Sequence, residues 1–267
     1  MTPRLFTLLS VLALITAIIS LGDIAFTELY ARETVDWRAQ GIAQDLFDLI
    51  IAAPALLISA ILFRYGSKSA FFVLCGILVF LIYTFIIFVF AVHFNRFFLL
   101  YCLGLGLSAY SLISLLWQQG AIGVKKWFSS ELPIKAPVIY LWFFCVLFTI
   151  LWLAEVGPAT ISGVPPANLA TTGLLTNPVH GIDLSFLLPG FAITAILLQR
   201  RHALGYLYAP IVMTFSIVMT LSIGTLITYE YLQGLAENYY VAIAMAVFAL
   251  ASAVVFRNFM KHLAKAA

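Results

Sequence analysis

Two aspartates are the first residues in this sequence whose type and spacing suggest chemistry. Asp48 and Asp183 each stand six residues before a proline, Pro54 and Pro189, inside runs that are otherwise apolar. Proline has no N–H and crowds the carbonyl four residues back. The carbonyls of Ile50 and Ser185 therefore lose their usual donor, and a helix kink is expected at each site. A carboxylate close to a freed carbonyl is an oxygen set that can hold a hard cation or a proton. The plainer reading is that each aspartate lies in the first turns of its helix and complements the macrodipole, with Asp45 serving as a side-chain cap.

A second group surrounds the later aspartate. His180 lies three residues before Asp183, and Glu155 and His93 fall at the ends of other apolar runs. Converging, such groups could bind Zn²⁺ or act as acid and base. Their spacing matches no ligand signature, and Asn177-Pro178 ahead of His180 reads as a turn, so a solvated loop histidine is expected there. Ser222, Thr225 and Tyr229 recur at spacings of three and four and would share one helix face, as a packing contact or a solute path. Gly104, Gly106, Ser108, Ser111 and Ser114 suggest a close helix contact. No G-x-S-x-G, H-E-x-x-H, P-loop or dinucleotide fingerprint occurs. Cys75, Cys102 and Cys145 form no CxxC or metal spacing.

The elements that must position these residues follow from composition. The 267 residues are 64% hydrophobic and 9% charged, too few charges to cover a soluble surface. The apolar runs are continuous, about 20 residues long, and so long enough to cross hydrocarbon as helices. They predict eight spans: Leu5–Gly22, Asp45–Phe63, Ala70–Val92, Asn95–Trp117, Pro137–Val156, Asp183–Gln199, Leu204–Thr228 and Tyr239–Phe256. With the N-terminus inside, the inner segments hold 11 of the 14 Lys and Arg residues, Lys265 among them. That bias predicts both termini on the cytoplasmic side of a cell (inner) membrane. The basic residues lie singly or in pairs, so nucleic-acid binding is not expected; the lipid bilayer is the expected partner. Lys125, Lys126, Trp127 and Phe128 between the fourth and fifth spans read as an interfacial anchor.

An internal repeat organises the chain. Asp48–Leu62 and Asp183–Leu197 agree at seven of fifteen positions without a gap, at an offset of 135 residues, and Gly22 falls on Gly157 at the same offset. The expected fold is all-α and polytopic: a first four-helix repeat over 1–120, a cytoplasmic linker over 121–136, and a second repeat over 137–267, in parallel orientation. Such duplication places a shared site or path between the halves. The 4+4 outline looks like that of haem A synthases, a likeness of architecture only. That family has paired histidines in its helices, whereas His93, His180, His202 and His262 all lie away from mid-helix, and no cofactor is expected. The functional expectation is transport of a small solute or cation between the halves, with Asp48, Asp183, Pro54, Pro189, His180, Glu155, Thr225 and Tyr229 as binding residues. The alternatives are a membrane-embedded enzyme with an outer acid or metal site, and a non-catalytic membrane partner or assembly protein.

Overall fold

The computed structural model describes residues 1–263; Lys265, counted above among the inner basic residues, lies outside them. Eight helices are long and apolar enough to cross a membrane: α1 (Pro3–Ala25), α2 (Val35–Arg64), α3 (Lys68–Ala91), α4 (Phe98–Gln119), α5 (Lys135–Ser162), α6 (Pro178–Gln199), α7 (Ala203–Leu232) and α8 (Tyr240–Met260). This makes the chain a multi-pass helical membrane protein, as its composition requires. Exposed Leu14, Ile58, Ile150 and Leu250 cover the outer helix faces, where hydrocarbon and not water is their solvent.

The helices form two rings of four. In the first, α1 packs on α2 and α4, and α3 lies between α2 and α4; in the second, α5 packs on α6 and α8, and α7 lies between α6 and α8. The rings join through α3 against α7, with α2 also touching α7 and α3 touching the start of α6. This pattern is unchanged when α1, α2, α3 and α4 are exchanged for α5, α6, α7 and α8. Gly76 allows the central crossing, because a Cβ there would strike the Thr214 side chain and lie 2.9 Å from the Ile211 carbonyl oxygen.

Both Asp-Pro segments contain a wide turn. Residues Asp48–Ala52 and Asp183–Leu187 are π-helical, with the Ala53 N–H donating to the Asp48 carbonyl and the Leu188 N–H to the Asp183 carbonyl. Each proline then falls at the first turn of resumed α-helix, where a missing N–H does least harm. The turns that follow also agree bond for bond. Tyr65, Gly66 and Ser67 donate to the Ile61, Phe63 and Leu62 carbonyls, and Arg200, Arg201 and His202 to those of Ile196, Leu198 and Leu197. Gly66 and Arg201 both have positive φ, 94° and 51°, and Ser67 and His202 both cap the next helix.

Several expected boundaries are corrected. α2 begins at Val35 and not Asp45, because Thr34 accepts from the Trp37 N–H and the polar first turns, invisible to hydropathy, are helical. Asp45 is thus no cap, and Asp48 lies well inside the helix; both are buried. α5 runs on to Ser162 through Pro158, and the connector before α6 holds a short helix, Ala167–Thr172. The Lys-Trp linker packs on the bundle. Val124, Phe128 and Leu132 are buried, Trp127 packs edge-on against Phe71 and Phe72, and Phe128 pairs with Leu263. The linker therefore closes the bundle at the face that carries both chain ends.

Candidate functional site

A cavity of about 450 Å³ opens at the junction of the rings, toward the face opposite the chain ends. Trp37, Gln40, Asn168, Asn177 and Glu230 line it near that face, and Phe80, Phe144, Phe191 and Phe215 line it at depth. Beneath it the aromatic cluster of Phe71, Phe72, Trp127 and Phe128 seals the other end.

One wall is acidic and aromatic. The wide turn presents Asp183 to the cavity, where the Trp152 indole Nε1–H donates to its Oδ2 at 2.8 Å and the Tyr83 hydroxyl faces it from α3. Asp183 Oδ1 is buried without a partner. His180 is a wall residue and not a solvated loop histidine: it is 6% exposed, its ring centroid lies 4.6 Å from that of Trp152, and its Nε2 is 3.5 Å from Glu155 Oε2. Asn177 caps the helix start by accepting from the Val179 N–H, so the Asn-Pro pair begins a helix where a turn was expected. The Asn168 amide donates to Glu155 Oε1 at 2.6 Å, which ties the short connector helix to the mouth.

The opposite wall reaches the first aspartate indirectly. Asp48 accepts from the Gln44 amide at 2.9 Å, and Gln44 accepts from the Ser222 hydroxyl at 2.8 Å. Gln44 and Ser222 line the cavity while Asp48 stands behind them. Pro54 and Pro189 touch no cavity surface; they set the wide turns. The expected single face of α7 is divided. Ser222 faces the cavity, whereas Thr225 and Tyr229 line a separate groove between α7 and α8, and the Thr225 hydroxyl donates to its own backbone at Leu221.

His93 lies elsewhere and pairs with the buried Glu33, Nδ1 to Oε2 at 3.0 Å, which with the Trp37 indole donating to the Ala91 carbonyl at 2.8 Å pins the α1–α2 loop onto the end of α3. Among the described residues, no three His, Cys, Asp or Glu groups converge as a metal site. Sequence reasoning missed Trp152, Tyr83 and Gln44, the partner of Ser222. Gln44 had a signal, since it lies four residues before Asp48 and so on the same helix face. Trp152 had none beyond its type. The chain matches no protein-family model, no curated protein and no solved structure.

Proposed function

We propose that the protein is a membrane carrier formed by two copies of one four-helix unit, and that it binds a small, partly apolar organic cation in the cavity between them. The duplication is supported by agreement at one offset throughout the α2–α3 and α6–α7 segments: the wide turns, the three turn hydrogen bonds and the two positive-φ positions. Ile211, which meets Gly76 at the central crossing, is also its equivalent at that offset, as expected where two copies meet on their own axis. The pairs Ser20–Asp45 and Glu155–His180 are likewise equivalent. Parallel repeats of this kind in transporters place the solute between halves.

The observation that carries the ligand class is the charge of the wall. Asp183, Glu155 and Glu230 line the cavity with Trp37, Tyr83 and Trp152, while among the described residues no Lys or Arg does so and His180 is the one basic residue of the wall. Carboxylates beside aromatic faces favour a cation through charge and through the ring quadrupole. The depth of the pocket, lined by phenylalanines, suits an apolar body attached to that charge. The basic face is read as cytoplasmic, which leaves the cavity open to the outside of a cell membrane.

The test is uptake of phenyltrimethylammonium, with benzoate as the anionic counterpart, into proteoliposomes. Saturable uptake of the cation alone is expected, reduced about tenfold in Asp183→Asn, the factor that corresponds to about 1.4 kcal/mol of lost interaction. Absence of saturable uptake, or equal uptake by the variant, would reject the reading.

A further inference from the structure

The first ring holds a second buried polar unit, independent of the carrier reading. Asp23 of α1 and Asp45 of α2 are both fully buried. The Tyr30 hydroxyl donates to Asp45 Oδ2 at 2.7 Å and lies 3.5 Å from Asp23 Oδ2. The Tyr101 hydroxyl reaches both oxygens of Asp23, at 3.2 and 3.0 Å, and accepts from the Asn95 amide. No ion pair among the described residues involves either aspartate. The groups facing the pair from the surrounding elements are Asp48 of α2, Tyr30, and Tyr101 of α4; α3 contributes Phe88 against the Tyr101 ring. Two carboxylates thus meet in a low-dielectric core with hydroxyl donors and no cation. Such an arrangement is too costly to keep at a charge of −2.

Each aspartate has one tyrosine donor, Tyr101 for Asp23 and Tyr30 for Asp45. Asp45 Oδ1 is buried and without a partner, and so is the Ser20 hydroxyl that faces it from α1. The Ser20 hydroxyl can donate to an ionised Asp45 Oδ1 or accept from a protonated one, and a hydrogen on Asp45 Oδ1 donated to Ser20 Oγ keeps that contact while halving the buried charge. Among the described residues, no third His, Cys, Asp or Glu joins the pair in a group that could hold a metal ion. Burial and the adjoining Asp45 push the Tyr30 phenol well above its ordinary range, so it stays a donor in this unit. We infer that Asp23 and Asp45 form a proton-binding site that holds one proton at neutral pH, carried on Asp45 between Ser20 and the Tyr30 hydroxyl. Tyr30 also lines the cavity, so its ring and its hydroxyl touch the two sites at once.

Infrared spectroscopy of the purified, reconstituted protein at neutral pH tests this through the carboxylic-acid C=O band, which ionised carboxylates lack. The band is expected in the wild type, to lose one component in Asp45→Asn, and to keep that component in Asp183→Asn and Asp48→Asn. Ser20→Ala, which keeps the acid but removes its acceptor, is expected to move that component to higher frequency; this variant keeps the test decisive if Asp45→Asn does not fold. A band unchanged in Asp45→Asn, or that Ser20→Ala leaves in place, overturns the assignment. Loss of the wild-type band on adding sodium chloride at constant pH, without the same effect from choline chloride, overturns it in favour of a sodium site.

Discussion

Within the site, the value of a side chain depends on what its neighbour would lose. Asp183 keeps one oxygen on the Trp152 indole, and its other oxygen is buried without a partner. Replacing Trp152 by Phe removes the donor and part of the ring volume, so it is expected to cost at least about 1–3 kcal/mol for the unmet carboxylate oxygen, seen as a lower Tm in detergent. Glycines give a sharper contrast. Gly22 and Gly157 agree at the repeat offset, yet a Cβ at Gly22 would strike the Phe97 ring, whereas at Gly157 it meets open space. Gly22→Ala is expected to destabilise by about 1–3 kcal/mol through overpacking and Gly157→Ala by less than about 0.5 kcal/mol, again by thermal unfolding. The two aspartates were legible because an acid and a proline are both rare in an apolar run. His180 was not, because Asn-Pro serves equally as a turn and as a helix start, and only burial decides which.

Helices were legible wherever they are apolar and obscure wherever they are polar. The hydropathy of α2 rises only after Asp48, so its first turns, with Gln40 and Gln44 on the cavity wall, escaped the sequence reading although Thr34 offers a cap. Nor does hydropathy separate the two sides of α7, since Ser222 and Thr225 differ only in the groove each one meets. The wide turns could be anticipated as a disturbance at proline but not as added residues; a π turn moves every preceding side chain around the axis, which is how Gln44 comes to Ser222. The closest helix contact was also missed, because Gly76 sits among large residues without a companion small residue. Gly76→Val is expected to force α3 from α7 and lower Tm by several degrees, on the scale of about 4 °C per kcal/mol or less for a chain of this size. Gly106→Val, in open space, is expected to leave Tm unchanged.

At the scale of the whole molecule, eight helices among the described residues are long and apolar enough to cross hydrocarbon, and the Phe128–Leu263 pairing puts the linker and the end of the last helix on one face. An even number of crossings in each would make two four-helix units parallel, and the unchanged contact pattern on exchanging them is what a parallel pair would produce. The rings also differ, since the first holds Asp23, Tyr30, Asp45 and Tyr101 together in its interior, while both line the pocket at their junction. The central claim is that this pocket is a ligand site reached from the face opposite the chain ends. It is tested most directly by Ser222→Cys in a background with Cys75, Cys102 and Cys145 replaced by Ala, using a membrane-impermeant maleimide applied to one side at a time. The account predicts labelling from the face opposite the termini only, slowed by phenyltrimethylammonium and not by benzoate. Labelling from the terminal face, or labelling that neither compound slows, would contradict it.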